Sequence, residues 1–116
     1  MKKVLQVFNF KDQKCVACEG GVAPLTRQEA ERYMLELSGW ELSRNGKQIS
    51  KELVFKNFDK AMDFVNMVAD RAEQEGHHPD IHIWYNKVLL ELSTHAIKGL
   101  STNDFILAAK IDTISL

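Results

Sequence analysis

Asn45-Gly46 lies between two segments of strand character, within the stretch from Trp40 to Lys56. This dipeptide tolerates the two positive φ values of a type I′ turn, so it predicts a tight hairpin and commits the chain to antiparallel pairing. Leu53, Val54 and Phe55 anchor the second arm. A chain of 116 residues holds one ordinary domain, so everything else must pack around that hairpin.

The segments on either side read as helices. Thr26 followed by Glu29 is a capping box, after which Ala30, Tyr33, Met34 and Leu37 recur at helical spacing until Gly39 supplies a stop. Asn57 caps a second and longest helix, with Ala61, Phe64, Val65, Val68 and Ala72 along one stripe and an end near Gly76. Ile81 to Thr94 reads as one long strand, in which Val88, Leu90 and Leu92 alternate with Lys87, Leu89 and Glu91. Ser101 and Asp104 form another capping box, and Leu107, Ala108, Ile111 and Ile114 carry a last helix to the C-terminus. That helix also holds Phe105, Ile106 and Ala109, more apolar surface than a terminal helix of a small monomer needs, which suggests an interface. The arrangement expected is α+β: a small, mostly antiparallel sheet with about three helices on one face. Residues 1–24 differ in texture. Met1–Phe10 suggests a short strand, and Lys11–Pro24, with Gly20, Gly21 and Pro24, an irregular arm, so residues 25–116 form the expected domain.

Composition excludes several classes. Fifteen Lys and Arg against sixteen Asp and Glu leave a net charge of −1, which disfavours electrostatic binding to DNA or to an anionic membrane. No apolar run approaches the roughly 20 residues of a membrane span, and Val4–Phe10 is too short and polar for a signal-peptide core, so a cytosolic protein is expected. Cys15 and Cys18 are too few for a disulfide framework. As a lone Cys-x-x-Cys they leave three readings open: inert thiols, half a metal site or a redox pair.

All four histidines fall between Gly76 and Ala96. They concentrate groups that exchange protons near neutrality. Pro79 holds His78 extended, so His77 and His78 occupy a helix-to-strand junction with their rings directed differently. Three readings compete: histidines serving structure alone, a metal site, and acid–base catalysis with Glu73 or Asp104 as orienting carboxylates. No HExxH or comparable ligand spacing supports the metal. Asp104 is explained sufficiently by its capping box, whereas Glu73, an acid on the last turn of its helix, gains nothing from the helix dipole.

Glu73, three residues, His77-His78-Pro79, five residues, Tyr85, nine residues, His95, eight residues and Asp104 resemble the signature of the pterin-4a-carbinolamine dehydratases, also called 4a-hydroxytetrahydrobiopterin dehydratases. Tyr85-Asn86-Lys87-Val88, Leu92-Ser93-Thr94-His95, Gly99-Leu100-Ser101 and, upstream, Ala30, Glu36 and Gly39-Trp40 extend the resemblance from about Pro24 to the C-terminus. A Cys-x-x-Cys arm leading into Gly-Gly-x-x-Pro is similar to that of some bacterial-type members.

The resemblance implies a hydro-lyase that removes water from a 4a-hydroxy-tetrahydropterin to give the quinonoid dihydropterin, recycling the pterin after an aromatic amino-acid hydroxylase has acted. It implies His77 and His95 as the proton-exchanging pair, with His78 holding and polarising the pterin. Glu73 and Asp104 would set imidazole tautomers or bind the substrate's polar edge. Trp84 is either a wall for the pterin or, like Pro79 and Tyr85, scaffold. No metal or other cofactor is implied. Dimers that pair into tetramers are. The alternative is a protein-binding module, since some relatives serve as dimerisation cofactors of a transcription factor; the net charge argues against direct nucleic-acid contact.

Overall fold

The computed structural model describes residues 8–16 and 20–115. Four strands, β1 (Glu41–Leu42), β2 (Ile49–Val54), β3 (Asp80–Trp84) and β4 (Lys87–Leu92), form one antiparallel sheet in the order β1-β2-β4-β3. Three helices accompany it: α1 (Arg27–Met34), α2 (Phe58–Glu75) and α3 (Thr102–Asp112). The expected α+β architecture is therefore present.

Register explains which face is covered. Ile49, Lys51 and Leu53 stand opposite Leu92, Leu90 and Val88, and Ile81 and Ile83 continue the same row from β3. Ile49, Val88, Leu90 and Leu92 are fully buried against the helices, whereas Val54 and Trp84 on the other face are exposed. The helices thus cover one face, with the second facing outward.

Three local expectations change. The β1–β2 connection runs over Ser43–Gln48, and of its central pair only Gly46 has positive φ, at +69°. Asn45 works through its side chain instead: Oδ1 accepts from the Ser43 hydroxyl at 2.7 Å and the Lys47 N–H at 3.0 Å. The long strand Ile81–Thr94 is a second hairpin, turning at Tyr85-Asn86 with Tyr85 at φ +49°. A continuous strand would have put Ile81 and Ile83 on the face opposite Val88, Leu90 and Leu92; the turn puts both sets on the helix side of the sheet, with Ile83 still exposed at its edge. Finally, α3 stops at Asp112, so Ile114 lies beyond it, half-buried.

Four helix caps are as the residues specify, whereas α1 ends at Met34, before Leu37 and the stop expected at Gly39. Thr26 with Glu29 and Ser101 with Asp104 each complete a reciprocal capping box. Asn57 Oδ1 accepts from the Lys60 N–H at 2.9 Å, and Gly76, at φ +64°, closes α2 with its N–H on the Ala72 carbonyl.

The apolar surplus of α3 is covered within the chain. Phe105 to Ala109 and Ile111 are all buried. Part of the cover comes from N-terminal residues: Phe10, 1% exposed, packs on Phe105 with ring centres 5.9 Å apart, and Phe8 and Tyr33 complete the aromatic cluster. The surface that suggested an interface on α3 is core. Of the strand expected over Met1–Phe10, Met1–Val7 lie outside the described residues, while Phe10–Asp12 forms a 3-10 turn. Cys18 also lies outside them.

Candidate active site

The α2–β3 junction delivers the first two histidines. After Gly76 reverses the helix, the His77 N–H still reaches the Ala72 carbonyl at 3.2 Å, which seats His77 against the end of α2. The third histidine arrives at the same end of the sheet, because β4 runs antiparallel to β3 with Glu91 opposite Asp80. Past β4, Thr94 exchanges backbone hydrogen bonds with Gly99, and His95 opens the short 3-10 turn they enclose. These two segments meet on a cavity of about 280 Å³ lined by His77, His78, Ser93, Thr94, His95, Gly76, Ala96, Asn103 and Val16.

Asp104 is the centre of the polar wiring. Its side chain is completely buried and accepts three hydrogen bonds: from His77 Nε2 at 2.6 Å, from the Thr94 hydroxyl at 2.8 Å and from the Ser101 N–H at 3.0 Å. With Nε2 donating to the carboxylate, neutral His77 carries its proton there and leaves Nδ1 as the basic atom. The Thr94 hydroxyl lies 2.7 Å from that of Ser101, extending the network into the helix cap. Capping and imidazole orientation, two readings of Asp104 from sequence, are performed by different oxygens of one carboxylate.

The other pairs differ in exposure. His78 Nε2 lies 2.6 Å from Glu73 Oε2, with both side chains more than half exposed. An exposed pair of this kind contributes about 0–1 kcal/mol, so it orients the ring more than it stabilises the fold. His82 pairs with Glu91 on the outer sheet face and stacks on Trp84 at 5.9 Å between ring centres, which places Trp84 away from the cavity. Among the described residues, no side chain hydrogen-bonds the His95 ring, and no three His, Cys, Asp or Glu side chains are grouped to hold a metal ion. None of the described helices is long and apolar enough to cross a membrane.

Sequence reasoning passed over Thr94, Asn103 and Val16. Thr94 and Asn103 are 4% and 5% exposed; the signals available were that Asn103 lies inside the Ser101–Asp104 capping box and that Thr94 directly precedes His95. Val16 carried no such signal. Beside this cavity, a second one of about 310 Å³ shares Ser93, Thr94 and His95 and extends toward Lys47 and Lys98.

Residues 23–114 match the family model described as pterin 4 alpha carbinolamine dehydratase. A protein of Halorhodospira halophila, provisionally named a pterin-4-alpha-carbinolamine dehydratase, is 46% identical over 107 residues, covering 92% of this chain and 98% of the relative. One from Nitrosospira multiformis with the same provisional name is 51% identical over 108 residues, 93% of this chain and 94% of the relative. The crystal structure of a transcriptional coactivator/pterin dehydratase from Brucella melitensis superposes with a TM-score of 0.72 at 31% identity, covering 77% of this chain and 95% of that one. A pterin dehydratase-like RuBisCO assembly factor of the alpha-carboxysome, 19% identical with a TM-score of 0.56 over 66% of this chain and 89% of its own, shares the fold. The family's model spans the sheet, the helices and every histidine of the cavity, and this chain belongs to the pterin-4a-carbinolamine dehydratase family.

Proposed function

We propose that this chain is a hydro-lyase that converts a 4a-hydroxy-tetrahydropterin to the quinonoid dihydropterin. The observation that carries the reading is the meeting of His77, His78 and His95 on one cavity in a chain of this family. In the reaction the C4a–O bond breaks, the departing hydroxyl takes up a proton, the neighbouring ring nitrogen N5 gives one up, and a C4a=N5 double bond forms. Water is the only product besides the pterin, so the chemistry needs a proton donor and a proton acceptor placed about a flat ring.

His77 and His95 are the exchanging pair in this reading. Asp104 holds His77 with Nδ1 free and stabilises its imidazolium once it has taken a proton, as a buried carboxylate does for a catalytic histidine. His95, whose ring no other described side chain engages, is the second group. His78, oriented by Glu73, binds and polarises the pterin. We give Trp84 no part, because its ring stacks on His82 outside the cavity. The scheme uses no metal or other cofactor. The substrate would come from a pterin-dependent aromatic amino-acid hydroxylase in the cytosol.

Enzymatically generated 4a-carbinolamine tests the reading. Wild type should accelerate dehydration above the solvent rate at each pH, and His77→Ala combined with His95→Ala should abolish the acceleration. Full activity in that double variant would sink the acid–base assignment; a folded wild type without turnover would favour the protein-binding module instead. Assembly belongs to the same reading: β3 is a sheet edge carrying exposed Ile83 and Trp84, so a second copy pairing along it would extend the sheet and cover both. A monomer by light scattering at micromolar concentration would exclude that pairing.

A further inference from the structure

Val16 lines the histidine cavity although it lies upstream of the family match, which begins at residue 23. Its side chain is 72% exposed, so packing does not hold it there. Its backbone is held instead, and by buried groups. Asn103 Oδ1 accepts from the Val16 N–H at 3.0 Å while Asn103 Nδ2 donates to the Val16 carbonyl at 2.6 Å, the two-way pairing a neighbouring strand would supply. One residue earlier, the Cys15 N–H donates to Glu75 Oε1 at 2.8 Å; the Glu75 side chain is 6% exposed and its other oxygen pairs with Lys110 at 3.2 Å.

Burying an amide and an ion pair is costly unless each is satisfied, and here the arm's backbone helps to satisfy them. The product of this investment is one branched apolar side chain fixed at the edge of a polar cavity and left open to water. A ligand seated in the cavity would cover it. Asn103 directly precedes Asp104, so the first turn of α3 sets the arm with one side chain and His77 with the next.

We propose that Val16 is an apolar wall of the pterin site, a substrate-contact residue outside the span that the family model matches, and that Asn103 is the residue that positions it. This rests on the dehydratase reading. The ring of a tetrahydropterin offers the flat, partly apolar surface that would bury the valine methyl groups, while its polar edge meets the histidines. Burial of a side chain of this size corresponds to about tenfold in affinity.

The test compares wild type with Val16→Gly and Asn103→Ala in the full chain. Val16→Gly, a change at an exposed position, should raise KM for the carbinolamine about tenfold with kcat within about twofold. Asn103→Ala should move KM in the same direction, and adding it to Val16→Gly should cost little more, because the two act as one unit. Affinity for a non-reacting oxidised pterin, read by quenching of its fluorescence, should fall by a similar factor in Val16→Gly. Wild-type KM and wild-type pterin affinity in Val16→Gly would overturn the proposal. If wild type bound the pterin but did not turn over the carbinolamine, the dehydratase reading would fail, and the affinity comparison would still decide the role of Val16.

Discussion

Asp104 shows how one residue can satisfy two demands. Oδ2 serves the Ser101 N–H and the Thr94 hydroxyl, while Oδ1 faces His77. Asp104→Asn separates the two roles. An amide has a single oxygen, and the two donors on the Oδ2 side will claim it, which turns the NH₂ toward His77 Nε2. That ring must then accept at Nε2 and carry its proton on Nδ1, the wrong tautomer for a base. The expected outcome is a kcat roughly 10²–10⁴ below wild type with a folded protein, measured by turnover alongside circular dichroism. Wild-type kcat in that variant would mean that the tautomer of His77 does not matter. The concentration of histidines and the family resemblance had already singled out His77, His78, His95, Glu73 and Asp104. It could not separate Trp84 from them, because an aromatic on a strand belongs to either face until the register is known.

At the level of elements, the N-terminal helix caps were legible and the turns were not. Caps at Thr26, Asn57 and Ser101 depend on residues within three positions of each other, and all three form as written. The β3–β4 hairpin was missed because its turn holds no glycine and places a tyrosine at positive φ, a conformation such residues rarely adopt. The change of phase between Ile81 and Ile83 on one side and Val88, Leu90 and Leu92 on the other was the available clue. Contacts between distant segments were not legible at all, and the N-terminal aromatics are the main instance. Phe10 meets Phe105 across the whole length of the domain in sequence, so nothing local announces it. Phe10→Ala should therefore lower stability by about 3 kcal/mol or more, as for any fully buried phenylalanine, in chemical denaturation. A loss under about 0.5 kcal/mol would show that the arm is not part of the core.

Over the whole molecule, the arm's attachment sets a pH range for stability. Burial alone would raise Glu75, but the Cys15 N–H and the Lys110 ammonium outweigh it and hold the carboxyl below the usual carboxylate range. Because the unfolded chain protonates first, that contribution is present above the unfolded value near 4.5 and is lost as pH falls through the lower folded one. Cys15 acts at the other end: burial, then the Glu75 charge, push its thiol from 9.0 up to about 12. Above pH 9 the unfolded chain ionises first, so stability declines as pH rises toward 12. Thermal midpoints should accordingly form a plateau from about pH 5 to 9, with Glu75→Gln flattening the acid limb; an acid limb unchanged in that variant would remove Glu75 from the account. With its ionisation pushed up to about 12, the half-buried thiol should also resist alkylation at neutral pH. Asp104 has a consequence of another kind. Because the hydrogen bonds that begin α3 also aim the imidazole of His77, any fraying of that helix end releases the base proposed above before the rest of the molecule unfolds. On gentle warming, turnover would fade while the spectrum still reported an intact protein, which makes the enzyme's own rate a thermometer for a single helical turn.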